Sequence, residues 1–252
     1  MSEKITNKPA ASSRRRYEDA CGAAHALDLV GERWALLVMR ELMLGPKRFS
    51  DLRADLPGIS ANVLTQRLEG LEAAGVLIRR KLPPPASNQV YELTSWGYAS
   101  EPIFQALGRW AAQSPEHDAS LPLSAVSLLL SFRTMFDPAR AKGIDARIGF
   151  RLGAETYLVR IADGRIDVAR DTLETADLVF TGTPSAVAAA VYGGQKLSAL
   201  AAEAALSIEG VRALAERFIT LFPLPPKAER PATATRKRRS VLQRRTGGEK
   251  DA

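Results

Sequence analysis

Apolar positions in the first half of the chain recur at helical spacing, in short blocks broken by glycine, proline or serine. "ALDLVGERWALLVMRELML" makes residues 17–44 helical, with Gly31 at a junction between two helices. "GPKRF" reads as a turn, and Ser50 opens a short helix, "SDLRADL", closed by Pro57-Gly58. The next block, "ISANVLTQRLEGLEAAG" at 59–75, has an apolar face of Ile59, Val63, Leu64, Leu68 and Leu71. Ser60 can cap it, its hydroxyl satisfying a free N–H of the first turn, and Gly75 suits a left-handed stop.

Two extended segments follow, "VLIRRKL" and "QVYELT", joined by "PPPASN" as a hairpin. Thr94 then caps a longer helix reaching Trp110, kinked or interrupted at Pro102, with a stripe of Trp96, Ile103, Leu107 and Trp110. Beyond "AQSPEHDASLPLS" the period changes. One helix at about 122–136 precedes alternating segments, "ARIGFRL", "TYLVRIA", "RIDVARD" and "ADLVFTG". Asp163-Gly164 between two of these is a hairpin signal. Two or three alanine-rich helices follow, the last with Val211, Leu214, Phe218 and Leu221 on one face.

The pattern divides the chain into a polar, disordered start (1–16), a helical domain with a hairpin (17–115), an α+β domain (122–223) and a tail rich in proline, alanine and charge (224–252). With 252 residues and 46% hydrophobic content, two small domains are affordable. The lone cysteine excludes an internal disulfide framework. The N-terminus lacks the apolar core of a secretory signal, and the run "AVSLLLSF" is too short to cross a bilayer, so a cytoplasmic protein without membrane contact is expected.

Net charge is +7, yet residues 1–120 hold 15 basic and 14 acidic side chains, 121–226 hold 11 and 11, and 227–252 hold 9 and 3. The excess therefore belongs to the tail, and any nucleic-acid site must rest on local arrangement. Enzymatic chemistry finds no support: two histidines and one cysteine give no metal-ligand spacing, and no phosphate-binding loop or dinucleotide fingerprint occurs. No cofactor is expected.

Helix, helix, short helix, capped helix, hairpin, helix is the order of a winged helix-turn-helix. The segments "CGAAHALDLVGERWALLVMREL", "GPKRFSDLRADLPGIS", "LTQRLEGLEAAGVLIRR" and "VYELTSWG" closely resemble the HxlR family of bacterial winged-helix regulators, related to the MarR type. The resemblance covers about residues 20–112 and implies a homodimer that binds double-stranded DNA. Residues 122–223, with "GIDARIGFRLGAETYLVRIADGRIDV" and "ADLVFTGTPSAVAAAVYGG", are similar to the sterol-carrier-protein fold, which implies a module able to enclose an apolar ligand. The alternative is a lipid-binding or carrier protein whose winged helix serves mainly for dimerisation.

The polar side of helix 59–75 holds Asn62, Thr65 and Glu69, with Gln66 flanking. Amide side chains can pair with adenine N6/N7 in the major groove and threonine can meet a thymine methyl; Glu69 could accept from a cytosine amine but is expected to be solvated or paired within the protein. Arg67 lies about 160° from Thr65 at 100° per residue, so it is expected to reach an acidic partner or lie along the core, with a phosphate contact as the second reading. Lys47, Arg48, Ser50 and Ser60 sit at helix starts suited to phosphates, or are ordinary surface groups. The wing tip in "LPPPASNQV" has no basic residue, leaving Arg79, Arg80 and Lys81 at its base as substitutes. Cys21 aligns with a cysteine that some HxlR-type regulators use to sense oxidants or electrophiles; the other fate of such a residue is a small buried filler. Phe132, Phe150, Tyr157, Val159, Phe180, Tyr192 and Phe218 could line an apolar pocket or simply fill a core. Trp34, Trp96 and Trp110 are expected in the core or at a dimer seam. The basic tail could touch phosphates or act as a solubilising arm.

Overall fold

A computed structural model describes residues 16–84 and 87–229. The chain forms two compact units that divide between Glu101 and Pro102.

The first unit contains α1 (Gly22–Val30), α2 (Ala35–Leu42), α3 (Phe49–Asp55), α4 (Ala61–Ala73), β1 (Leu77–Lys81), β2 (Gln89–Leu93) and α5 (Ser95–Tyr98). Its core joins Val38, Met39 and Leu42 of α2 to Leu52 of α3 and to Leu64, Leu68 and Leu71 of α4, all buried at helical spacing. Helix α3 starts one residue earlier than Ser50: Arg48 is its N-cap, and the Arg48 N–H donates to Asp51 Oδ2 at 3.3 Å. Ser50 lies inside the first turn, with Oγ donating to Asp51 Oδ1 at 3.0 Å, so the cap belongs to the aspartate. Between α3 and α4 the chain reverses through Gly58 at φ +92°, a conformation an L side chain rarely adopts.

Ser60 caps α4 as expected, its Oγ accepting the Val63 N–H at 3.3 Å. At the other end the Gly75 N–H donates to the Glu72 carbonyl (2.9 Å) and the Val76 N–H to the Leu71 carbonyl (3.0 Å). Gly75 sits at φ +72°. This reciprocal pair closes the helix and drops Val76 onto Leu71, both buried. The wing is an antiparallel hairpin with Leu77 opposite Leu93, Arg79 opposite Tyr91 and Lys81 opposite Gln89. Lys47 adds a bridge to Tyr91, exchanging N–H···O bonds of 3.0 and 2.8 Å. Thr94 Oγ1 accepts from Gly97 N at 3.1 Å and caps a single turn, α5.

The second unit begins one residue into α6 (Glu101–Ala112), whose Pro102 falls in its first turn, where a missing N–H costs nothing. The break in the expected long helix thus precedes Pro102. Then come α7 (Ala125–Met135), β3 (Ala146–Leu152), β4 (Glu155–Ala162), β5 (Arg165–Arg170), β6 (Leu178–Gly182), α8 (Pro184–Val191), α9 (Leu197–Ala202), β7 (Leu206–Gly210) and α10 (Arg212–Phe218). The sheet order is β5-β4-β3-β6-β7, antiparallel except for β3 with β6. Asp163 and Gly164 both have positive φ in the β4–β5 turn, as the sequence implied. Alternation puts Ile148, Phe150 and Leu152 in the core and Arg147 and Arg151 in solvent.

Phe150 and Phe180 stack across β3 and β6 at 5.4 Å between ring centroids. Phe132 of α7 meets Phe218 of α10 at 5.5 Å, and Phe222 stacks on Phe132 at 4.5 Å. Phe150 and Phe180 lie 5.7 and 5.8 Å from Phe218, closing the cluster. No helix of the described residues is long and apolar enough to cross a membrane.

Candidate nucleic-acid interface

Helix α4 presents Asn62, Thr65, Gln66 and Glu69 to solvent, while Leu64, Leu68 and Leu71 face inward. The exposed row carries amide and hydroxyl groups whose hydrogen bonds go to water unless a ligand takes them. Arg67, on the opposite side, is engaged: its Nε donates to the Arg33 carbonyl at 2.9 Å and its Nη2 lies 2.9 Å from Glu32 Oε2. The helical-wheel position already set it apart from the exposed row.

The basic residues assigned to phosphates divide sharply. Lys47 is 3% exposed. Its ammonium bonds Asp55 and lies 3.7 Å from Glu41 Oε2, and Glu41 is itself fully buried and bonded to Arg40 at 2.6 Å. Lys47, expected at a phosphate, is here a buried cation held by two carboxylates, an arrangement that favours a structural role. Arg79 pairs with Glu72 at 3.2 Å and lies over the Tyr91 ring at 5.5 Å. Arg80 bonds Glu92, which holds its guanidinium more firmly protonated than usual. Both are half-exposed and occupied. Arg48, Ser50, Ser60 and Lys81 are exposed, and among the described residues Arg48 and Lys81 have no ion pair. The wing-tip residues 85–86 and the tail from 230 onward lie outside the described residues.

Cys21 is exposed and forms the N-cap of α1. The backbone N–H groups of Ala23 and Ala24 hold its thiol pKa below the ordinary value. It is therefore not a buried filler. No residue of α1 is buried, and Leu27 is half-exposed. Trp96 and Trp110 are also exposed, Trp110 by 73%, and so do not belong to a protomer core; Trp34 is half-buried.

In the second unit Phe132, Phe150, Phe180 and Phe218 fill space against one another, and Val159 is fully buried. These four rings pack as the core-filling alternative of the sequence reading has them. Tyr157 is buried, donates its hydroxyl to Glu155, and has Arg170 at 5.8 Å over its ring; burial pushes its pKa up. Tyr192 is half-buried with its hydroxyl 2.7 Å from Ser131 Oγ. Among the described residues no group of acidic, histidine or cysteine side chains could hold a metal.

A helix pair, a capped second helix with an exposed polar row and a two-stranded wing define a winged helix-turn-helix protein, here followed by an α+β module. Residues 29–119 match the HxlR-like helix-turn-helix family, and residues 130–223 match the SCP-2 sterol transfer family. The HTH-type transcriptional regulator YvaP of Bacillus subtilis is 38% identical over 88 residues, covering 35% of this chain and 82% of YvaP. YodB, an HTH-type transcriptional regulator of the same organism, is 39% identical over 35% of this chain and 79% of its own. The solved reduced form of YodB has 37% identity, a TM-score of 0.35, and coverage of 39% of this chain and 98% of that one. The chain belongs to the HxlR-type helix-turn-helix transcriptional regulators and carries, in addition, an SCP2-like domain. The carrier-protein alternative is not favoured, because the relatives matched across the winged helix are regulators.

Proposed function

We propose that this regulator reads its operator with Asn62, Thr65 and Gln66 of α4, and sets its register on phosphates with Arg48, Ser50, Ser60 and Lys81. The observation that carries this is the exposed row of amide and hydroxyl groups on a helix anchored from behind and capped at Ser60. Asparagine and glutamine match the paired donor and acceptor of adenine in the major groove. Two copies bind two half-sites as a homodimer in the cytoplasm. The exposed apolar side chains of α1 and of α6 (Leu27, Ile103, Leu107 and Trp110) are the surfaces such a partner would cover.

Selection of duplexes from a random-sequence library tests this directly. Asn62→Ala and Gln66→Ala should each lose about 1–3 kcal/mol of discrimination between enriched and scrambled duplexes. Equal losses on every sequence would remove α4 from base reading. Cys21 adds a switch to this reading: an exposed thiol with a lowered pKa can be oxidised or take an electrophile, and the change at α1 would alter operator affinity. An apolar ligand in the second domain regulates binding only if its affinity differs between the two states. Vesicle lipid at saturation that leaves operator affinity unchanged would exclude it.

A further inference from the structure

The corner between α1 and α2 contains an unusual backbone. Trp34, the N-cap of α2, sits at φ +79° and ψ −19°, in the left-handed region that a bulky side chain avoids. Three contacts lie at that corner. The Arg33 guanidinium lies over the Trp34 ring at 5.5 Å. The Trp34 ring reaches the α3–α4 turn, where its Cη2 would be 3.9 Å from a Cβ built on Gly58. The Arg33 carbonyl, immediately before Trp34, accepts from Arg67 of α4, and Glu32 takes the other arm of the same guanidinium.

The rest of the seat of α4 is apolar, made by Leu64, Leu68 and Leu71. Apolar burial is non-directional and tolerates small slides or rotations of a helix. A guanidinium fork reaching two acceptors at fixed positions does not. We infer that Arg67 is a positioning residue for DNA recognition: clamped by Glu32 and the Arg33 carbonyl at a strained corner, it fixes the rotation and height at which α4 presents Asn62, Thr65 and Gln66.

This rests on the reading of α4 given above, and the two can fail separately. The test compares full-length wild type with R67M, R67K and E32Q. The specific probe is the duplex that wild type enriches from a random-sequence library, and the nonspecific probe is poly(dI-dC). R67M should lower the ratio of specific to nonspecific affinity by about tenfold or more, the worth of a well-placed base contact. R67K keeps the charge but has no fork to span both acceptors, so it should also fall. E32Q keeps the Arg33 bond and should fall less. A merely structural role would instead lower the melting temperature and both affinities together, leaving the ratio within about twofold, and that result overturns the inference. Hydrogen exchange supplies a second readout without DNA: R67M should speed exchange across 61–73 with global melting preserved. If wild type enriches no sequence, base reading by α4 fails, and the exchange result alone decides the clamp. Unchanged exchange overturns it.

Discussion

Lys47→Met removes one charge from the inside of the winged helix and little else. The methionine keeps the unbranched stem, and the backbone bridge to Tyr91 needs no side chain. What is lost is an ammonium that bonds Asp55 and lies 3.7 Å from the fully buried Glu41. Removing one partner of a buried pair typically costs about 3–5 kcal/mol, because the remaining charge stays desolvated. Two features reduce that here. Glu41 retains Arg40 at 2.6 Å, and Asp55, 30% exposed, can rehydrate. The expected loss is about 2–3 kcal/mol, below the range for an isolated pair. Urea unfolding followed by hydrogen exchange at the Val38, Leu42 and Leu64 amides would report this unit directly. Glu41→Gln on the Lys47→Met background should recover part of the loss, since a neutral amide no longer needs the cation; a double-mutant cycle gives the coupling. If Lys47→Met changes stability by less than about 0.5 kcal/mol, Lys47 is behaving as a surface residue and its structural assignment is wrong.

Phe150→Ala should cost about 3–5 kcal/mol, since the ring is fully buried among Phe132, Phe180 and Phe218. A loss under about 1 kcal/mol would indicate a cavity there instead. The single thiol permits a clean alkylation assay: because the folded pKa of Cys21 is lowered, its thiolate persists to lower pH, and the iodoacetamide rate should reach half-maximum at lower pH in native than in urea-unfolded protein. Coincident midpoints would remove the effect of the α1 amides. With residues 230–252 deleted, a dimer using Arg48 and Lys81 should bind duplex DNA with a log–log salt slope of roughly −4. A slope of roughly −9 would mean that Lys47, Arg79 and Arg80 leave their carboxylates.

Much of the fold is written in local pattern. The cap at Ser60, the stop at Gly75, the Asp163-Gly164 turn and the alternation of β3 to β6 all depend on residues near one another in sequence. Strand β7 is not announced by the sequence pattern, because "LSIEG" is short and half-exposed and its pairing partner β6 is distant in the chain. The site separates in the same way. Arg67 was distinguishable from Thr65 by helical angle alone, but its acceptors lie 34 and 35 positions earlier, at a corner no periodicity describes. Lys47 and Arg48 are adjacent and chemically alike, yet one is buried and the other exposed. Lys47 is bridged to Tyr91 through its backbone and its side chain meets Glu41 and Asp55, long-range partners that local pattern does not show.

The pairing of these cations alters how affinity and specificity divide. Lys47, Arg67, Arg79 and Arg80 each spend their charge on a carboxylate of the same unit. General attraction to phosphate is therefore small for one folded winged helix, even though the chain carries +7. Weak nonspecific attraction raises the share of discrimination carried by directional contacts, which the proposed reading places on a short row of amides and a hydroxyl. One such row would give little affinity on its own, so the proposal calls for two rows at fixed separation, each converting the other's binding into an intramolecular event. In the proposed dimer, the exposed apolar residues of α1 and α6 are surfaces that a second copy would cover. The proposed clamp behind α4 would then act twice: an error in the angle of one reading helix would be repeated in the other, and the second row would lose its register whenever the first is displaced.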